Sequence, residues 1–322
     1  METTKDAAER LTRLGDEAFG RVQAHFPEAK HWRLALAQPL APERFSRIRS
    51  AVLTYLGASL GRRGTLDEAT LLDELIKQRD TLANYSPGGM LLPKREQLVE
   101  FNLVHAAVAA AVGDYKLADV VDGIDLPINV RIVYGQPAAG PPAPFSSSKL
   151  HLDVWAGVPV DSVVCVLPVL GDIDNLTIVF GEMERELEAG ALRAMDDYDE
   201  GRGTKMAVPY RDGTLRHGLF CMSDVRLLHQ TVRHRKQGVR VSIDFRFRMN
   251  HAPYRAVVPE VAGPEGVDTR VPYAEWARIG TEDVIVFDET MAEAARAKPT
   301  ASSLPVYDGD YRVIPVFPQQ PR

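Results

Sequence analysis

The feature that most restricts the fold is the run from Val239 to Arg248, VRVSIDFRFR, in which every odd position is apolar and every even one polar. Side chains alternate faces along a pleated strand, so a period of two fits a strand and no helix. Valine, isoleucine and phenylalanine form one face, while Arg240, Ser242, Asp244, Arg246 and Arg248 form the other. The apolar face has to be buried. The polar face can meet solvent, with Arg240 paired to a carboxylate such as Asp244, or it can line a cavity of the kind that small barrels and jelly rolls enclose.

A second alternation supports the cavity. In KLHLDVW, Lys149 to Trp155, the odd positions are Lys, His, Asp and Trp, and the even ones Leu, Leu and Val. On a strand, His151 and Asp153 aim their donor atoms at one point, whereas adjacent residues would aim apart. His229 lies downstream, shortly before Arg240. Two imidazoles and one carboxylate are the facial ligand set of non-haem ferrous sites, which leaves positions open for a chelating cosubstrate and dioxygen. The planar fork of arginine suits a carboxylate, and a neighbouring serine hydroxyl can add a hydrogen bond. A metal with open positions beside such an anchor is what 2-oxoglutarate requires.

The ordered set His151, Asp153, His229, Arg240 and Ser242 resembles the iron- and 2-oxoglutarate-dependent dioxygenases. The stretches HLDVWAG and LHQTVRHRKQGVRVSIDFRFR are similar, more narrowly, to a bacterial branch with oxygenases of antibiotic biosynthesis, such as streptomycin-cluster dioxygenase-like proteins. The likeness spans roughly residues 127 to 250. It implies an α+β fold with a mainly β core, a double-stranded β-helix of the jelly-roll or cupin-like kind, carrying N-terminal helices on its outer sheet. It implies Fe(II), 2-oxoglutarate and O2 as the reacting groups, with succinate and CO2 as coproducts. Hydroxylation of a small polar metabolite is the default outcome, and desaturation, cyclisation or epimerisation begin in the same way. Halogenating relatives replace the carboxylate ligand with a small residue, and this chain retains Asp153.

Alternatives stay open at this point. His234 stands to Arg246 much as His229 stands to Arg240, and His217 is a further distal ligand candidate; Ser242 beside Arg240 favours His229. Asn129 and Arg131, on the first predicted strand, and Thr177, on a central one, are candidates for the cosubstrate. Trp155 and Arg246 are candidates for the substrate. A cupin-like metalloenzyme that does not use 2-oxoglutarate, or a non-catalytic jelly-roll module with a chance H-x-D, would share the strands but not depend on Arg240.

Helical spacing dominates the first third, over residues 5–24, 43–60, 66–80 and 94–113. From about Leu126 the period switches to strands at 129–134, 150–155, 162–169, 176–180, 205–209, 215–222 and 239–248. This divides the chain into a helical region 1–120, a catalytic core 121–255 and a mixed extension 256–322, which can cover the outer sheet or support a homodimer. The extension is expected to hold a short helix at 273–279, a strand at 283–287, a helix at 289–297 and an extended segment at 311–316. The Pro-, Gly- and Ser-rich stretch 136–148 reads as a connection or a lid, and the charged segment 184–203, of helical character, as an insertion across the barrel mouth.

The net charge of −6 argues against binding a phosphate backbone. The longest apolar stretch, Val163 to Leu170, is too short to span a bilayer, and the charged N-terminus is no signal peptide. Cys165 and Cys221 sit in apolar segments and read as buried thiols. A cytoplasmic protein acting on a small molecule is the expectation.

Overall fold

The structure is a computed structural model that describes residues 4–26, 33–36, 39–62, 67–82, 85, 89–91, 97–125, 128–137, 142, 144–184, 191–201, 203–210, 215–258, 270–278, 283–288 and 310–315. The four expected helices form as α1 (Thr4–Gln23), α2 (Pro42–Ser59), α3 (Glu68–Lys77) and α4 (Leu98–Gly113). Proline at the start of α2 costs no hydrogen bond there, because a first-turn N–H has no partner within the helix. Asp67 lies just outside the first turn of α3, where the sequence had placed it inside. Its carboxylate caps the helix by accepting from the Thr70 amide at 3.0 Å. The helix turns Leu71 and Leu75 fully inward, and burying a leucine contributes about 1.5–3 kcal/mol.

The strands are β1 (Leu34–Leu36), β2 (Met90–Leu91), β3 (Val121–Asp125), β4 (Asn129–Tyr134), β5 (Ser162–Gly171), β6 (Leu176–Met183), β7 (Met206–Pro209), β8 (Cys221–Asp224), β9 (Leu228–Arg233), β10 (Val239–Met249) and β11 (Arg270–Pro272). β12 (Asp283–Asp288) and β13 (Asp310–Pro315) form a separate two-stranded sheet. Among the described residues all pairings are antiparallel. The large sheet runs β1-β8-β5-β10-β3-β11, with β4 on β10 and β2 on β4, and a smaller sheet runs β7-β6-β9.

β10 is the centre of the large sheet. On one side it pairs with β5 from Arg240 to Arg248; on the other it pairs with β4 over Val239–Asp244 and with β3 over Phe247–Met249. Its apolar residues Val241, Ile243, Phe245 and Phe247 join Tyr55 of α2 and Phe101 and Val104 of α4 in one buried cluster. A second cluster links the two sheets, with Phe180 and Ile178 of β6 packed near Cys221 of β8 and Val166 of β5. The polar face of β10 is no solvated surface, because Arg240 is 1% exposed and Ser242 and Asp244 are also buried.

Two expected strands are corrected. Residues 150–155 form only a single bridge at His151, and the chain then turns through a 3₁₀ helix at Asp153–Ala156, closed by Gly157 at φ 82°. That turn buries Val154 and Trp155 together, which alternation would have placed on opposite faces. The strand expected at 215–222 forms instead over Cys221–Asp224, and β9 was not foreseen. Cys165 and Cys221 are free and buried, on opposite faces of neighbouring strands. In the charged segment 184–203, of which residues 185–190 and 202 lie outside the described residues, a 3₁₀ helix forms at Tyr198–Gly201. The short helix α5 (Tyr273–Arg278), β12 and β13 form near the predicted positions, whereas the helix expected at 289–297 lies outside the described residues. Among the described residues no helix is long and apolar enough to cross a membrane.

Candidate metal and anion site

His151 and His229 face each other across an isolated antiparallel bridge, in which their backbones exchange hydrogen bonds of 2.9 and 3.0 Å. Residues so paired project side chains to the same face. Their rings accordingly lie with centroids 4.2 Å apart. Each ring is oriented by a carbonyl two residues upstream: Nδ1 of His151 lies 2.7 Å from the Lys149 oxygen, and Nδ1 of His229 lies 3.0 Å from that of Leu227. Donation through Nδ1 fixes the tautomer and leaves both Nε2 lone pairs for a metal. Leu152 between the first pair is extended, at φ −108° and ψ 143°, which brings Asp153 round to the side of His151.

The donor atoms of His151, Asp153 and His229 lie within 4.8 Å of one another, and among the described residues they are the group of this kind that can share an ion. Asp153 Oδ2 is 3.6 Å from His229 Nε2, is shielded from solvent and has no hydrogen-bond partner. A buried carboxylate oxygen without a donor is costly, and a cation satisfies it. Burial pushes the His151 imidazole down to about 3, with His229 beside it acting in the same direction, so the ring is neutral near pH 7 as a ligand must be. Burial works to raise the Asp153 carboxyl, yet His229, His151, Arg246 and Arg131 hold it below the usual range. His234 and His217 are exposed and do not join the group.

The 191–201 segment braces these ligands, which nothing in the sequence had signalled. Tyr198 stacks on His151, with centroids 4.1 Å apart and planes 18° from parallel, and Phe145 meets Tyr198 edge-on. On either side of Tyr198, Asp197 and Asp199 hold the Lys149 ammonium at 2.6 and 3.0 Å, two residues before His151. Trp155 is buried beneath the same segment, donating to the Ala191 carbonyl at 3.2 Å. A Cβ on Gly201 would lie 2.3 Å from that indole, so only glycine lets the segment approach so closely. Trp155 thus anchors this cover.

Arg240 and Ser242 lie on the face of β10 that also carries Asp244. Arg240 donates to the Leu176 carbonyl at 2.5 Å, but its Nε and the Ser242 hydroxyl are buried without hydrogen-bond partners. Burial pushes the Arg240 guanidinium down to about 10, opposed by Asp244 and reinforced by Arg131 and Arg233. Arg131 is opposite Ser242 and Asn129 opposite Asp244, and the Arg131 side chain pairs with Asp244 at 2.5 Å. Arg246 meets Asp125 at 3.3 Å and acts on Asp153 through its charge. Thr177 is not brought to the site. It pairs with Val232, whereas Phe180 pairs with His229, so the alternation of β6 turns Thr177 to the other face.

No protein-family model matches the chain, and no curated protein matches it. Its course resembles several solved structures at low identity. AviO1 from Streptomyces viridochromogenes is 14% identical over 67% of this chain and 89% of that one, with a TM-score of 0.36. SnoN, a non-haem alpha-ketoglutarate-dependent epimerase from nogalamycin biosynthesis, is 12% identical over 80% of this chain and 99% of that one, at 0.38. HygX from Streptomyces hygroscopicus, with nickel and 2-oxoglutarate bound, is 11% identical over 71% and 86%, at 0.37. Likenesses this faint carry no weight for function.

Proposed function

We propose that this protein is a non-haem Fe(II)- and 2-oxoglutarate-dependent oxygenase on a double-stranded β-helix, acting in the cytoplasm on a small polar metabolite of a specialised pathway. The reading is carried by the coincidence of two unmet needs in one fold. A buried carboxylate oxygen without a donor stands beside two imidazoles with free Nε2, and a buried guanidinium whose Nε has no acceptor stands beside an unpartnered hydroxyl on the central strand. A metal ion answers the first and a carboxylate the second.

His151, Asp153 and His229 would hold the iron, and Arg240 with Ser242 the far carboxylate of the cosubstrate. Asn129 and Arg131 share the Ser242 face and wall that pocket. When bound, iron and 2-oxoglutarate supply the oxidising chemistry with O2, giving succinate and CO2 and removing hydrogen from the substrate. The chain's own part is to keep the His151 imidazole neutral, to orient both rings, to keep Asp153 ionised and to cover His151 with Tyr198. Asp153 occupies the position that a halide would need, so hydroxylation, or desaturation, cyclisation or epimerisation, is favoured over halogenation.

The test is anaerobic addition of Fe(II) and then 2-oxoglutarate. A weak visible charge-transfer band that requires both is expected. Its absence at saturation overturns this reading in favour of a cupin-like metalloenzyme or a binding module.

A further inference from the structure

Arginines of this protein fall into two groups. Among the described residues, nearly every buried or half-buried arginine pairs with a carboxylate, as Arg33 does with Asp16, Arg131 with Asp244, Arg226 with Asp224, Arg246 with Asp125 and Arg248 with Asp122. Arg79, Arg233 and Arg240 bond only to backbone carbonyls, those of Gln136, Tyr134 and Leu176. These three lie side by side. Leu176, whose carbonyl holds Arg240, is the register partner of Arg233. Tyr134, whose carbonyl holds Arg233, carries Arg79 over its ring at 4.8 Å from the centroid.

Guanidinium groups taken out of water need a negative charge, and unpaired ones repel each other. Arg233 is disfavoured as a cation by burial and by Arg79, and Arg240 by burial and by Arg131 and Arg233. Asp244 acts on Arg240 through its charge without bonding to it: its Oδ2 is engaged by Arg131, and its Oδ1 is buried without a hydrogen-bond partner. A cationic row therefore runs from the half-buried Arg79 inward to the fully buried Arg240, and among the described residues no carboxylate is hydrogen-bonded to it.

We propose that Arg79, Arg233 and Arg240 form one dicarboxylate-selecting site, in which Arg240 binds the far carboxylate of the cosubstrate while Arg233 and Arg79 draw the dianion in and hold it. This rests on the function proposed above and assigns specificity to two residues outside its motif. Clefts lined by one sign of charge concentrate counter-ions, an effect that salt removes.

Two measurements test it. Calorimetry of 2-oxoglutarate with the Ni(II)-loaded protein should show affinity falling steeply with salt. Arg233→Gln and Arg79→Gln should each weaken low-salt binding, by about tenfold for the inner residue, and flatten the salt dependence. Arg233→Lys should restore much of both, and binding of 2-oxopentanoate, which lacks the far carboxylate, should change far less. Wild-type affinity and salt dependence in both glutamine variants would overturn the inference.

Glutarate, which has no keto group to chelate a metal, should raise the melting temperature of the metal-free wild type but not of Arg233→Gln or Arg79→Gln. If glutarate stabilises only the wild type while the Ni(II) form binds no 2-oxoglutarate, the cosubstrate reading fails and the anion site stands. If glutarate has no effect on the wild type, the anion site fails.

Discussion

The two halves of the site are built differently. Arg240 and Ser242 sit in the central strand, flanked by β4 and β5, with helices behind them. His151 and Asp153 lie on a short irregular segment joined to β9 at one bridge, and their geometry depends on the Tyr198 stack, the Lys149 ion pairs and two carbonyls. A regular sheet positions by repetition, so losing one side chain leaves its backbone in place. An irregular segment positions by individual contacts, and each loss is felt.

Removal of the metal ligands should have the largest effect. Asp153→Ala or His229→Ala is expected to abolish both the charge-transfer band and succinate formation, since the remaining donors cannot complete a facial triad. Next, Arg240→Ala should leave metal binding intact while weakening 2-oxoglutarate, at about 1.5–3 kcal/mol for each charge-assisted hydrogen bond lost. Equal loss of metal and cosubstrate binding in this variant would erase the distinction between the halves.

Smaller effects sharpen it. Lys149→Ala frees Asp197 and Asp199 from the ligand segment, and orienting contacts of this kind are worth about 10–100-fold in metal affinity. Metal affinity should therefore fall with little change in unfolding free energy; a large stability loss at unchanged affinity would make the clasp a fold element only. On the helix side of the sheet, His105 is fully buried against Trp276, and burial pushes it down to about 3. Its unfolded counterpart titrates near 6.5, so the stabilisation is complete above that pH and is lost as pH falls toward 3. His105→Leu should flatten the decline of stability between pH 6.5 and 5 by about 1.4 kcal/mol per unit, read from urea titrations. An unchanged slope would place the acid sensitivity elsewhere.

What could be read in advance follows the same division. The alternation of β10 needs only local physics, so its polar face was legible residue by residue. The pairing of His151 with Asp153 was legible too, although the segment is no strand, because one extended residue between them is enough. Tyr198 was not, since only the folded chain brings a mid-insertion tyrosine against an imidazole far upstream. Thr177 shows the limit of position without register: the pairing of β6 with β9 decides its face, and no pattern in LTIVF encodes that choice. Arg79 and Arg233 look like surface charges in sequence, and that they bond to carbonyls and to no carboxylate among the described residues becomes visible only in three dimensions.

The reciprocal backbone bond between His151 and His229 means that the imidazoles are neighbours before any ion arrives. Capture then requires little reorganisation of the chain, so a chelator should strip the metal and leave a folded apoprotein that reloads quickly. The binding energy would then go into holding the ion, with hardly any diverted to assembling its cage.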